Sequence, residues 1–195
     1  MRIIEIISYD SSKYPNLLKQ ISNVPQILYV EGNSKILNNI AISIIGSRSC
    51  SENGIKQAKQ FAYELAYQNI VIVSGMAKGI DTAAHIGTLE AGGKTIAVLG
   101  CGFKHIFPKE NIGLFKKIIE SGGAVISEYP PETEASSKRF LERNRIVSGL
   151  SMATLVIEAA YRSGTSVTAG LAKEQGRKVF CIPHEMENMH GVRNE

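Results

Sequence analysis

From Ile40 onward the chain alternates short, β-branched apolar runs with helical patterns, and no other feature of the sequence limits the fold as tightly. The runs are "IAISII" (40–45), "IVIVS" (70–74), "TIAVLG" (95–100), "AVIS" (124–127), "ATLVIE" (153–158) and "KVFCIP" (178–183). They are apolar almost throughout, lacking the polar alternation of a half-solvated strand, so each must be covered on both faces. Helical patterns fill the intervals near 52–68, 79–91, 110–121, 139–150 and 164–176. Such a rhythm predicts an α/β fold: a doubly wound, mostly parallel sheet with helices on both faces. Gly92-Gly93, Gly122-Gly123 and Gly176 stand where those helices should end.

The 195 residues suit one such domain with a small addition. Residues 39–195 are expected to form it. Residues 1–38 read as an N-terminal extension packed on the core, with a short helix in "YPNLLKQ", an extended piece after Pro25 and a Gly32-Asn33 turn. Several function classes drop out. No apolar run approaches the roughly 18 residues that span a bilayer, and the N-terminus lacks the form of a secretory signal, so a cytoplasmic protein is expected. The three cysteines (Cys50, Cys101, Cys181) are far apart, odd in number and contain no C-x-x-C pair. That spacing argues against a disulfide framework or a zinc site. A net charge of +4 leans mildly toward anionic partners.

In open α/β sheets ligands bind beyond the carboxyl ends of the strands. The segments there are "GSRSCSENG" (46–54), "SGMAKGID" (74–81), "GCGFKHIFPKEN" (100–111), "SEYPPETEASSKRF" (127–140) and "EAAYRSGTSVTAG" (158–170). They combine small residues, which let a ligand approach backbone N–H groups, with Arg48, Lys78, Lys104, Lys109, Lys138 and Arg162. Phosphate binding is the natural reading. Standard nucleotide motifs do not account for it: "GCGFKH" places His105 where a dinucleotide fingerprint has its last glycine. "TLEAGGKT" has Thr88 at the first glycine of a P-loop and runs into a strand instead of a helix. Asp81 and His85, four apart on one helix, would form a structural pair or a base.

The stretch "RFLERNRIVSGL" (139–150) sets a sharper problem, because three arginines share a helix with a buried stripe of Ile146, Val147 and Leu150. Arg139 and Arg143 fall on one face; Arg145 points roughly 200° away from Arg143. A guanidinium next to an apolar stripe needs a carboxylate or a phosphate. Glu128 and Glu158, expected to end neighbouring strands, are candidate partners, and Tyr129 and Phe140 are candidate stacking platforms for bases.

The succession "YPNLLKQISNVPQILYVEGN", "IAISIIGSRSCSENG", "VIVSGMAKGIDTAAHIGTLEAGGKTIAVLGCG", "FPKEN", "GGAVISEYPPET", "RFLERNRIVSGLS" and "VIEAAYRSGTSVTAGLAKEQGRKVFCIP" closely resembles the DNA processing protein A (DprA/Smf) family, from about Tyr14 to Pro183. The resemblance implies an extended Rossmann fold that binds single-stranded DNA without sequence preference, acts in DNA uptake and natural transformation, and helps load the RecA recombinase. It implies a homodimer, with Gly164 to Arg177 near its surface, and neither cofactor nor catalysis. Carried over by motif, the DNA and phosphate contacts would be Gly46, Ser47, Arg48, Ser74, Gly75, Lys78, Gly79, Lys109, Lys138, Phe140, Arg143, Asn144 and Arg145. Members often continue into a winged-helix domain; here the sequence departs from the pattern at "HEMENMHGVRNE", and the end of the domain is expected to be short. An alternative comes from the lysine-decarboxylase-like Rossmann proteins, which hydrolyse nucleoside monophosphates with a P-G-G-x-G-T-x-x-E signature. The matching loop here reads "YRSGTSVTAG", without P-G-G and with Thr168 in place of the glutamate.

Overall fold

The computed structural model describes residues 3–160 and 163–183. Eight strands form one mixed sheet: β1 (Ile4–Ser8), β2 (Ile27–Gly32), β3 (Ala41–Ile45), β4 (Val71–Ser74), β5 (Thr95–Leu99), β6 (Ala124–Ser127), β7 (Ala153–Val156) and β8 (Lys178–Cys181). Their spatial order is β1-β2-β6-β5-β4-β3-β7-β8. The six from β3 to β8 run parallel, as the apolar runs require. Among the described residues, five α-helices connect them: α1 (Glu52–Tyr67), α2 (Ile80–Glu90), α3 (Ile112–Glu120), α4 (Ser137–Gly149) and α5 (Gly164–Glu174).

Both faces of the sheet are covered. On one, α1 and α2 bring Ala58, Ala62, Ile80, Ala83 and Ala84 against Ile44, Ile72 and Ile157. On the same side α3 packs Leu114, Phe115 and Ile118 beside Ala97 and Leu99. On the other, α4 buries Ile146, Val147 and Leu150 against Ile45, Val73 and Val98, together with the N-terminal residues Tyr14, Leu18 and Ile21. Local signals set the helix starts. Ser51 accepts from the Gly54 N–H at 3.0 Å to cap α1, and Ser136 accepts from the Arg139 N–H at 3.3 Å to cap α4.

The N-terminal segment differs from its sequence reading. "LKQ" makes a single 3-10 turn, and β1 and β2 form an antiparallel hairpin that continues the sheet past β6. "IEIIS" shows only weak alternation, with Ile6 exposed and Ile7 buried, so a lone edge strand left little pattern to detect. A second correction concerns Glu128 and Glu158. The strands they follow, β6 and β7, are separated by β5, β4 and β3. The β6-α4-β7 connection carries the chain back across the sheet, and β7 pairs on the far side of β3. Strand order therefore reverses between β3 and β7, which opens a crevice at their carboxyl ends.

Candidate nucleic-acid interface

A cleft of about 520 Å³ occupies that crevice. The turn after β3 supplies Gly46, Ser47 and Arg48, the turn after β4 supplies Gly75, the start of α2 supplies Asp81, and α4 closes one side with Phe140, Arg143 and Asn144. Hydroxyl groups of Ser163, Thr165 and Thr168 line the wall formed by the start of α5. The two glycine turns are sterically constrained. A Cβ on Gly75 would lie 2.7 Å from the Asp81 carboxylate and 2.9 Å from Arg143 Cζ. Gly79 has φ 75° and brings the start of α2 against the Ser47 and Arg48 carbonyls, so Ile80 N–H donates to the Ser47 carbonyl at 3.2 Å.

The arginines of α4 separate by role. Arg143 is buried, and its Nη1 donates to the Gly75 and Val98 carbonyls while Nε donates to Asn144 Oδ1 at 3.3 Å. It thereby ties α4 to the ends of β4 and β5. Asp81 lies across Gly75 from it, also buried, and accepts from the Ala77 N–H at 3.2 Å. Burial raises the Asp81 carboxyl above its usual range, and the Arg143 charge pulls it back. Arg145 points to the other side of the helix. It makes a bidentate pair with Glu128 at 2.7 and 2.6 Å and donates to the Asn23 and Glu142 carbonyls at 2.7 and 2.8 Å. Arg145 thus fastens α4 to the strand-β6 turn and the N-terminal segment, away from the cleft where the sequence reading placed it. Glu158 serves neither arginine: it accepts from the Ser51 N–H and hydroxyl at the start of α1.

Of the other residues expected at the site, Gly46, Ser47, Arg48, Gly75, Phe140 and Asn144 line the cleft. The exposed Arg48 guanidinium lies 5.7 Å from the centre of the Phe140 ring, within cation–π range. Lys78 borders an adjoining recess and pairs with Glu110 at 2.7 Å. Lys138 projects outward, its side chain 86% exposed and 3.7 Å from Glu142. Lys109 borders a separate groove. Ser74 is fully buried, donating to the Ile44 carbonyl at 2.7 Å beneath the floor. Arg162 lies outside the described residues, as does the 184–195 segment.

Asp81 and His85 form no pair. His85 Nδ1 lies 2.7 Å from the Thr95 hydroxyl, which itself donates to the Ile72 carbonyl at 2.6 Å. Thr95 must therefore accept, which places the imidazole proton on Nδ1. Burial depresses the His85 pKa to about 3, so the ring is neutral. Sequence reasoning passed over Phe107, whose ring centre is 5.4 Å from that of Phe140 at an interplanar angle of 33°. Its only signal was an aromatic residue before a proline in a basic loop. Among the described residues, no group of three or more His, Cys, Asp or Glu side chains is placed to hold a metal ion.

The fold and cleft define a doubly wound, Rossmann-like α/β protein whose cleft opens where strand order reverses. Residues 5–194 match the family described as DNA recombination-mediator protein A, and the chain belongs to that family, the DprA/Smf DNA processing proteins. It is 42% identical over 183 residues to Protein Smf of Escherichia coli, covering 94% of this chain and 49% of that one. The solved DNA processing protein A of Streptococcus pneumoniae superposes with a TM-score of 0.88 at 40% identity, over 95% of this chain and 65% of that chain. A second solved structure concerns the single-stranded DNA binding mode of DNA processing protein A from Helicobacter pylori. It superposes with a TM-score of 0.85 at 28% identity, over 96% of this chain and 85% of that chain. The chain thus spans about half the length of the E. coli relative.

Proposed function

We propose that the chain binds single-stranded DNA without sequence preference. One observation carries the reading: Arg48 lies over the Phe140 ring at the mouth of a cleft floored by glycine turns. That arrangement offers a cation for a phosphate, an aromatic face for a base and small residues that admit the backbone between them. The recognition it offers is of features every nucleotide shares, phosphate charge and a base face, which favours binding without sequence preference. The H. pylori relative, whose DNA binding mode is the subject of its structure, supports the assignment by family. In this reading Gly46, Ser47, Gly75, Gly79 and Asn144 shape the cleft, and Lys78, Lys109 and Lys138 extend its positive rim. Arg143, Ser74 and Arg145 act from behind as braces.

The same reading assigns the protein a non-enzymatic, cytoplasmic role in DNA uptake, as a homodimer that delivers strands to the RecA recombinase. No helix among the described residues is long and apolar enough to cross a membrane. Arg48→Ala tests the site. Its affinity for oligonucleotides of any base composition should fall, and the slope of log K against log salt should flatten by about 0.7 for the lost phosphate contact. An unchanged affinity and slope would remove Arg48, and the cleft with it, from DNA binding.

A further inference from the structure

The loop between β5 and α3 builds a second groove, of about 770 Å³, on the side of Phe107 away from the cleft. Lys104, His105 and Lys109 stand exposed along it, with Phe103 and Ile106 beneath and Glu134 on the opposite rim. A third, smaller cavity lies between this groove and the cleft. This recess of about 220 Å³ shares Arg48, Phe140 and Arg143 with the cleft and shares Phe107 with the groove. Phe107, 49% exposed, is the common wall of recess and groove, and its ring is paired with that of Phe140. A line from Arg48 over Phe140 and Phe107 to Lys104 therefore alternates cation, two aromatic rings and cation.

The groove also rests on a fixed platform. The Gly102 N–H donates to the Thr133 carbonyl at 2.8 Å and the Lys104 N–H to the Pro131 carbonyl at 3.0 Å. Phe103 is buried against Phe115 with ring centres 6.2 Å apart. Asn111 Nδ2 donates to the Met76 carbonyl at 2.8 Å and to Thr82 Oγ1 at 2.9 Å, locking the loop to the start of α2. Phe107 on this support is half exposed, so part of its ring is accessible in the free protein beside the pair it makes with Phe140.

We infer that this groove is a second subsite for the same DNA strand, with Phe107 stacking on a base beyond the one at Phe140 and Lys104 meeting the following phosphate. The inference rests on the proposed DNA-binding function. It adds a direction, because the strand leaves the cleft over the β5–α3 loop and not over the hydroxyl wall of α5. Three glutamates temper the charge. Lys104 pairs with Glu132 at 2.5 Å and Lys78 with Glu110, and Glu134 lines the groove. These pairs are exposed and exchange readily for phosphate.

Strand length provides the test. Affinities of the whole chain for four-nucleotide and fifteen-nucleotide thymidylate strands are measured by fluorescence anisotropy across salt concentrations, for the parent, Phe107→Ala, Phe107→Trp and Lys104→Gln. The short strand fills the cleft, and the long one reaches the groove. Phe107→Ala should weaken the long strand about tenfold and the short one less than about twofold, and Phe107→Trp should restore the loss. Lys104→Gln, which leaves the Phe107–Phe140 pair untouched, should lower the salt slope by about 0.7 for the long strand alone. Parent-like binding of the long strand by both Phe107→Ala and Lys104→Gln overturns the second subsite and leaves the cleft standing, as does an equal loss on both strands in both variants. A parent that binds neither strand overturns the DNA-binding function and the subsite together.

Discussion

Arg145 offers a direct way to separate bracing from ligand binding on α4. Its guanidinium makes four hydrogen bonds: two to the Glu128 carboxylate, one to Asn23 and one to Glu142. The Arg145 and Glu128 side chains are 11% and 15% exposed, so the pair is nearly removed from water. Arg145→Met keeps the length of the side chain and strands the carboxylate. Breaking a buried pair from one side costs about 3–5 kcal/mol, and the residual exposure here argues for about 3. At this chain length that corresponds to a melting point lower by roughly 6–12 °C. Pairing it with Glu128→Gln removes the orphaned charge, so the double variant should recover about 2 kcal/mol relative to the sum of the single changes. Urea denaturation of the four proteins gives the cycle, and oligonucleotide titration of each folded protein gives the second readout. Affinity should stay within about twofold of the parent, because none of the four bonds faces the cleft. A variant that keeps its stability but loses DNA binding would refute the assignment, and so would strict additivity in the cycle.

Two further outcomes follow from side chains near the site. His85 ionises at 6.5 when unfolded and at about 3 in the fold, so the unfolded chain binds the additional proton at intermediate pH. Its stabilising contribution is complete above pH 6.5 and is lost as pH falls toward 3, by about 1.4 kcal/mol per unit. Between pH 7 and pH 5 the parent should lose roughly 2 kcal/mol more than His85→Gln in urea titrations; equal losses would rule out the buried neutral imidazole. Glu110→Gln frees Lys78 from its exposed partner at 2.7 Å. DNA affinity should rise and the salt slope steepen by up to about 0.7, with stability left essentially unchanged because the pair is exposed; an unaltered slope would place Lys78 off the DNA path.

The parallel half of the fold was legible because strands buried on both faces must be apolar throughout, which leaves a strong local signal from β3 to β7; the run at β8 was found too, although that edge strand is half-buried to exposed and not covered on both faces as its apolar run suggested. The edge strand β1 was not, since a strand with one solvated face can be short and weakly patterned, and β2 was read only as an extended piece. The crossing from β6 to β7 was equally hidden. Nothing in "SEYPPETEASSKRF" states that the next strand will pair four places away. Of the two carboxylates expected to partner an arginine, Glu128 does pair with Arg145, while Glu158 follows a strand on the far side of β3 and accepts from Ser51 instead. Within the cleft, glycine turns and Arg48 could be read because strand ends in such sheets host ligands. The division between Arg143 and Arg145 needed the helix to be seated, since their difference in angle says that they face apart without saying which one meets the sheet. Phe107 was missed because a single aromatic in a loop has no periodicity to betray it.

The bonds from Arg143 to the carbonyls after β4 and within β5 have a consequence for the energetics of capture. A helix stapled to two adjacent strand ends cannot slide or tilt to meet an incoming ligand, so the cleft is a mould whose shape exists before anything enters it. Whatever disorder must be surrendered on association then falls on the guest, and a limp polymer forfeits far more of it than a stiff one. Selectivity between strands would accordingly follow how readily each bends into the mould, before any recognition of its letters.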